Sequence, residues 1–349
     1  MNSIQVAGKT IGHGQPCFII AEAGVNHNGE MDLARRLVDA AVKVGADAVK
    51  FQAFKAEALV SRAAPKADYQ LQTTDRGESQ FEMIRRLELN EESLREIQSY
   101  CTSRGILFLA TPFDDESARL LDAMGVPLFK ISSGEVINLP FLARIARMGR
   151  PIILSTGMCD LEEVAHAVQT IRSCGNHSII LLHCVSNYPA DPADSNLRAM
   201  HTMAKAFDLP VGYSDHTAGN AVAFAAVALG ACVVEKHLTL DRQLPGPDQR
   251  ASSEPDEMRV LVRGIRAVES ALGDGRKVPV PSERNTAEVA RKSLVAARDL
   301  PAGTTLRADM LIAVRPGTGL SPALEAQILG RKLRQAVASH AQLTIEMLE

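Results

Sequence analysis

Short, continuously apolar runs alternate with longer amphipathic stretches from residue 17 to about residue 240. The runs are CFIIAEAG (17–24), AVKFQAF (48–54), ILFLATP (106–112), LFKISSG (128–134), PIILSTG (151–157), SIILLHC (178–184), LPVGYSDH (209–216) and ACVVEKHLT (231–239). Such continuous apolarity predicts strands buried on both faces, the condition of a parallel sheet. Between them, MDLARRLVDAAVKVGA, ESARLLDAMG and AVAFAAVALG have helical spacing, and several of these stretches end in glycine as a helix stop. With EPDEMRVLVRGIRAVESALG (254–273) as the last helix, eight strand–helix units are predicted. That number in this length argues for a (β/α)8 TIM barrel over residues 1–273 rather than an open doubly wound sheet. No GxGxxG follows the first run, which weakens a dinucleotide-binding fold. The long connection, 54–82, contains the polar KADYQLQTTDRGESQ and reads as a loop over the substrate, with a tolerated insertion as the alternative.

Past Gly273 the composition changes. GDGRKVPVPSERNTAEV, with Pro279 and Pro281, predicts a linker over 274–290. Residues 291–349 carry short strand signals and Pro/Gly turns, as in a small, separate, mostly β domain. The formal charge of -3 offers no basic field for nucleic acid and no polybasic arm for a membrane. An anionic ligand must therefore be met by a few placed lysines and arginines. The N-terminus has no leader-like pattern, no apolar run approaches the ~20 residues that span a bilayer, and six scattered cysteines include no CxxC pair. A cytoplasmic, reduced protein is expected.

In a barrel of this kind the active site lies at the C-terminal ends of the strands. Polar groups gather there: Glu22, then Lys50 and Gln52, Thr111, Lys130 with Ser132 and Ser133, and Glu135. Ser155, Thr156, His183, Ser214, Asp215, His216, Glu235 and His237 continue the series. Packing alone does not explain a polar group at nearly every strand end. His216 and His237 end adjacent strands and can converge on one divalent ion; with oxygen ligands they suit Mn, Mg, Co or Zn. No thiolate cluster accompanies them, which argues against a closed structural zinc site. For either histidine alone, a hydrogen-bonded structural role is the alternative. Lys50 and Lys130, with Ser133, Ser155 and Ser214, offer donors for a phosphate or carboxylate, unless each lysine simply pairs with a carboxylate. A Schiff-base lysine of a metal-free aldolase competes, and the histidine pair argues against it. Glu135, after the SSG turn, is a candidate base among these groups, and Asp248 in LPGPDQ faces the same way. Lys236 alternates with His237 and should point away from the lumen.

AEAGVNHNG, KFQAFKA, ATPFD, KISSGE, ILSTGM, YSDHT, EKHLTLD and GPD, in that order, resemble the sialic acid (nonulosonate) synthases along nearly the whole chain. RKSLVA and VRPGTGLSP are similar to that family's C-terminal antifreeze-like (SAF) domain. The resemblance implies a metal-dependent condensation of phosphoenolpyruvate with an N-acylated mannosamine-type sugar and water. C3 attacks the sugar aldehyde, and phosphate leaves by C–O cleavage. N-acetylmannosamine giving N-acetylneuraminate is the expected reaction. A 2,4-diacetamido-2,4,6-trideoxymannose giving N,N'-diacetyllegionaminate is the alternative, and AEAGVNHNG and VGYSDHT look at least as much like that branch. The 6-phosphate of N-acetylmannosamine is disfavoured, because no further basic cluster is seen for a second phosphate.

By the same resemblance His216 and His237 are the metal ligands, with Mn2+ expected before Mg2+ or Co2+. Lys50, Lys130, Ser133, Ser155 and Ser214 meet phosphoenolpyruvate, and Thr111 is a further substrate-binding residue. Glu135 handles the water at C2, Glu22, Gln52, Tyr188 and Asp248 line the sugar side, and Glu22 is, with Glu135, a catalytic candidate. Arg315 matches an arginine offered to the partner subunit's site, which implies a domain-swapped homodimer. Gln249, Leu238 and Ser186 depart from the family pattern and bear on sugar preference. A non-catalytic ice- or sugar-binding protein is disfavoured, because Lys292, Arg298, Arg307, Arg315, Arg331 and Lys332 interrupt any flat, regular ice-binding face and the set of barrel-mouth groups does not suit a passive binder.

Overall fold

Each apolar run becomes a strand whose residues alternate between two different interiors. The computed structural model describes residues 3–75 and 77–349, and the chain divides into two compact units at Gly273/Asp274. In the first unit a hairpin, β1 (Ile4–Val6) and β2 (Lys9–Ile11), precedes the barrel strands. These are β3 (Phe18–Gly24), β4 (Ala48–Ala53), β5 (Leu107–Pro112), β6 (Phe129–Ile131), β7 (Ile152–Ser155), β8 (Ile179–Cys184), β9 (Val211–Asp215) and β10 (Val233–His237). Among the described residues they form one parallel eight-stranded sheet in the order β5-β4-β3-β10-β9-β8-β7-β6. β5 and β6 lie side by side and close the cylinder.

The helices between the strands are α1 (Met31–Val44), α2 (Ala56–Leu59), α3 (Asp68–Thr73), α4 (Gln80–Arg85), α5 (Glu91–Arg104), α6 (Asp115–Ala123), α7 (Leu139–Arg147), α8 (Leu161–Ser173), α9 (Ala199–Phe207), α10 (Ala221–Ala228) and α11 (Pro255–Leu272). α1 shows why they form. It buries Ala34, Leu37, Val38, Ala41 and Val44 on one stripe and ends at Gly45, whose φ of 84° only glycine adopts without strain. The connection 54–82 is not an open loop: α2, α3 and α4 fall in or overlap it, α4 behind a Ser79–Glu82 capping box. Lys66 pins the segment by donating to Thr74 Oγ1 (3.0 Å) and to the Asp75 carbonyl (2.7 Å).

Period-two geometry sorts the strand residues. Ile19, Val49, Phe51, Leu154, Leu181 and Val234 face outward into the layer shared with the helices. Phe18, Ile20, Ala48, Leu109, Ile153, Ile180 and Val233 face inward, where Ile4, Val6 and Ile11 of the hairpin pack against them and plug the N-terminal end of the cylinder. The next inward positions, one step towards the C-terminal ends, are Glu22, Lys50, Thr111, Lys130, Ser155, Ser214 and Glu235. The lower half of the lumen is therefore a dry core and the upper half a charged chamber.

The second unit contains a 3-10 turn at Pro281–Glu283, α12 (Arg284–Ala290), the antiparallel pair β11 (Ser293–Ala296) and β12 (Leu311–Val314), and α13 (Glu325–Ile328). Isolated bridges such as 300–337 and 305–332 complete a mostly β unit around Leu294, Leu300, Leu306, Leu333 and Leu343. The segment read as a linker thus carries a helix. Its start is set by Glu283, whose side chain accepts from Val280 N (3.0 Å), ahead of the helix-forming TAEVA. Among the described residues, no helix is long and apolar enough to cross a membrane, and the six cysteines are free thiols.

Two positions test this packing. At Gly212 a Cβ would lie 2.5 Å from the Val233 carbonyl oxygen and 2.8 Å from Val233 Cβ. Gly212→Ala should lower stability by about 1–3 kcal/mol through overpacking, read from the urea midpoint. His27 is fully buried, accepts from Gly29 N (3.0 Å) through Nδ1, and has no partner at Nε2. Burial holds its pKa down to about 4, against about 6.5 in an unfolded chain. The unfolded state therefore binds the extra proton, and stability should fall as pH drops from about 6.5 to 4. Urea midpoints across that range should flatten in His27→Gln.

Candidate active site

The charged upper chamber opens into one cavity of about 420 Å³ at the C-terminal ends of the strands. Its floor is a closed network of charge. Lys50 pairs with Glu22 and lies 3.7 Å from Glu235, while Lys130 lies 3.3 Å from Glu235. Lys50 Nζ also donates to Thr111 Oγ1 (3.0 Å), Lys130 Nζ to Ser155 Oγ (2.8 Å), and Ser214 Oγ to Glu235 Oε1 (3.1 Å). All four charged side chains are at least nine-tenths buried. Burial alone would raise Glu235, but Lys130 and Lys50 overcome it and hold the carboxyl down to about 2. Burial pushes Glu22 up to about 7 in spite of Lys50. One glutamate is thus a fixed anion, while the other can carry a proton near neutral pH.

His216 and His237 stand on the same cavity, with ring centroids 5.7 Å apart. His216 Nδ1 donates to the Val185 carbonyl (2.7 Å), which leaves Nε2 as the lone-pair nitrogen. His237 Nδ1 is buried without a hydrogen-bond partner. Burial lowers both pKa values, His237 well below its ordinary range, which favours the neutral form of each ring, the form that binds metal. Among the described residues, no group of three or more histidine, cysteine, aspartate or glutamate side chains is arranged to hold an ion. The pair would suit a divalent ion completed by oxygen donors.

Gln52, Ser133, Tyr188 and Asp248 also line the cavity. The Tyr188 ring lies 4.3 Å from that of His216 and 5.6 Å from that of His237. Burial raises Asp248 to about 6. Ser133 Oγ accepts from Gly157 N (2.9 Å) and lies 3.3 Å from Cys184 Sγ. A Cβ at Gly157 would sit 2.3 Å from Ser186 Oγ, so the STG turn must be glycine for this corner to close.

Two expected residues remain. Glu135 does not line the cavity: its carboxylate accepts from Asn138 Nδ2 (2.7 Å) and, among the described residues, pairs with no lysine. The 3-10 turn Ser133–Glu135 breaks the strand's alternation and turns the side chain towards the start of α7. Arg315 is exposed in the second unit, where its Nε donates to the Ala290 carbonyl (3.0 Å). His183 and Thr156, at outward positions, bond the Ser195 and Leu182 carbonyls instead. Of the three departures from the family pattern, Ser186 lines the cavity. Gln249 is buried and bonds Thr239 and the Asn26 carbonyl, and Leu238 belongs to the outer core. Glu235 was visible only as one strand-end polar group, yet it is the central counter-charge. Its place two residues before His237 was the available signal.

Residues 37–277 match the NeuB family and residues 291–349 the SAF domain. The chain belongs to the NeuB family. Its similarity to an N,N'-diacetyllegionaminic acid synthase of Legionella pneumophila is 46% identity, covering 98% of this chain and 97% of that one. A Campylobacter jejuni protein of the same name is 47% identical over 90% of this chain and 95% of its own. The crystal structure of an N-acetylneuraminic acid (sialic acid) synthetase from Leptospira borgpetersenii superposes with a TM-score of 0.72 at 35% identity, covering 82% of this chain and 95% of that one. This NeuB-family chain is accordingly an enzyme of the sialic, legionaminic and pseudaminic acid synthase group.

Behind the histidines, the NeuB-family barrel holds a second buried ion pair. Lys236 Nζ bonds Asp215 Oδ2 (2.7 Å) and the Thr217 carbonyl (2.8 Å), while Asp215 Oδ1 accepts from Thr217 N and Oγ1. The pair locks the turn that presents His216 from the side facing away from the lumen. Lys236→Met leaves a buried carboxylate unpaired and should lower stability by about 3–5 kcal/mol. Adding Asp215→Leu should restore part of that loss, both read by chemical denaturation.

Proposed function

We propose that this enzyme is an N,N'-diacetyllegionaminate synthase, joining phosphoenolpyruvate to 2,4-diacetamido-2,4,6-trideoxymannose with water and releasing phosphate. NeuB-family synthases are phosphoenolpyruvate-using transferases, and the observation that carries the reading is the cavity that unites two lysines, a set of hydroxyls and two neutral imidazoles. N-acetylmannosamine was the first expectation from the sequence. The relatives at 46% and 47% identity favour the diacetamido sugar instead.

Lys50, Lys130, Thr111, Ser133, Ser155 and Ser214 would bind the phosphate and carboxylate of phosphoenolpyruvate, with the ion pairs of the floor opening to admit it. C3 of phosphoenolpyruvate forms the new bond to the sugar aldehyde carbon, water adds at C2, and the C2–O bond to phosphate breaks. Glu22, raised by burial, suits the proton that the aldehyde oxygen takes up as it becomes a hydroxyl. Glu135 adjoins the lining residues Ser133 and Gly134, so its water-handling role would be exercised from the rim. Gln52, Tyr188 and Asp248 would meet sugar hydroxyls and acylamides. His216 and His237 would hold a divalent ion, Mn2+ before Mg2+ or Co2+, which when bound supplies Lewis-acid polarisation of the aldehyde. The same reading includes a domain-swapped homodimer in which Arg315 of the partner subunit completes each site.

Phosphate release from phosphoenolpyruvate with Mn2+, measured with each sugar and with chelator, tests this. Release that needs the diacetamido sugar and disappears with chelator is the expected result. Faster release with N-acetylmannosamine would move the assignment to N-acetylneuraminate. A borohydride-trapped lysine adduct formed in chelator would replace the mechanism by Schiff-base chemistry.

A further inference from the structure

Two groups within the lining of the cavity are each continuous through their own contacts. One is the network of Lys50, Lys130 and their partners. The other is a buried apolar cluster of Val25, Phe54 and Leu87, against which Leu59, Ile84 and Phe113 pack. All six of these apolar side chains also line the cavity. Phe54 and Phe113 meet edge to face, with centroids 6.2 Å apart.

Their positions along the chain fix their depth. Val25, Phe54 and Phe113 follow β3, β4 and β5, two to four residues beyond Glu22, Lys50 and Thr111 on the same neighbouring strands. They stand above the charged floor, towards the mouth. Leu59 and Ile84 come from α2 and α4 of the inserted segment, and Leu87 from just past α4. The insertion therefore adds apolar surface to one sector of the mouth. Among the described residues, the lysines and arginines of the lining are Lys50 and Lys130, both on the floor and both engaged by carboxylates.

A hydroxyl placed against such a surface gives up water and finds no partner, whereas a methyl group gains contact. We infer that this shelf over β3–β5 selects the sugar, taking a mannosamine-type chain whose C6 is a methyl and whose C4 nitrogen carries an acyl methyl, over one bearing free hydroxyls or a 6-phosphate. This rests on the synthase reading above and assigns to the shelf the choice of sugar made there. The shelf acts by contact alone and takes no part in bond making.

The test uses the full chain with phosphoenolpyruvate and Mn2+ and three sugars: N-acetylmannosamine, its 6-deoxy analogue, and 2,4-diacetamido-2,4,6-trideoxymannose. Loss of O6 should raise kcat/KM roughly 10- to 100-fold, the range open to an apolar pocket facing one hydroxyl. The 4-acetamido group should raise it again. Leu59→Ser and Ile84→Ser should each shrink the ratio between the first two sugars several-fold; a ratio does not change when a variant merely loses active protein. Equal kcat/KM for the first two sugars, or a ratio unmoved in both variants, would overturn the shelf. If none of the sugars releases phosphate, the synthase reading fails. The shelf is then judged by calorimetric binding of the same pair, where equal affinities would reject it.

Discussion

Four charges buried at the waist of a closed cylinder set the terms for everything above and below them. Lys50, Glu22 and Glu235 stand at inward positions on the neighbouring strands β4, β3 and β10, with Lys130 facing them from β6, and none is tolerable there without the others. Below them the lumen must be dry and well packed, which the hairpin and the inward aliphatic residues achieve. Above them it must open, because a network assembled to balance itself has little use until a ligand rearranges it. The hydroxyls of Thr111, Ser155 and Ser214 are the hinge of that exchange: each already bonds one of the charged groups and can follow it to a new partner.

The inserted segment shows a similar economy. Its short helices cannot stand alone, and they are held by Lys66, by the Ser79–Glu82 box and by the contact of Thr73 Oγ1 with the Pro247 carbonyl. Some of the apolar residues that help hold it, Leu59, Met83 and Ile84, also face the cavity, while Ala56 and Phe81 are buried away from it. Stability of the insertion and the surface of the mouth thus share side chains, so a change in sugar preference at those positions also changes how firmly the segment sits.

The barrel was legible because a strand buried on both faces leaves an unbroken apolar signature, and the histidine pair because strand ends are easy to locate. Glu135 falls outside the residues that line the cavity because a single 3-10 turn cancels the period-two rule, and nothing in SSGE announces that turn. Glu235 went without a role because its importance lies across strands, in distances to Lys50 and Lys130 that no linear pattern contains. α2, α3 and α4, at four, six and six residues, are too short to show periodicity. The apolar side chains of the mouth, scattered from Val25 to Phe113, share no spacing at all.

The hairpin plug has a consequence for traffic. A cylinder sealed at one end has a single doorway, so whatever binds on the floor must arrive before whatever binds at the mouth. In the proposed reaction this imposes a queue: phosphoenolpyruvate enters first and the sugar closes in behind it. Departure is in reverse, with the new nine-carbon acid clearing the doorway before phosphate can follow. Order of addition would then be a property of the architecture, set by Ile4, Val6 and Ile11 at the far end from any reacting atom.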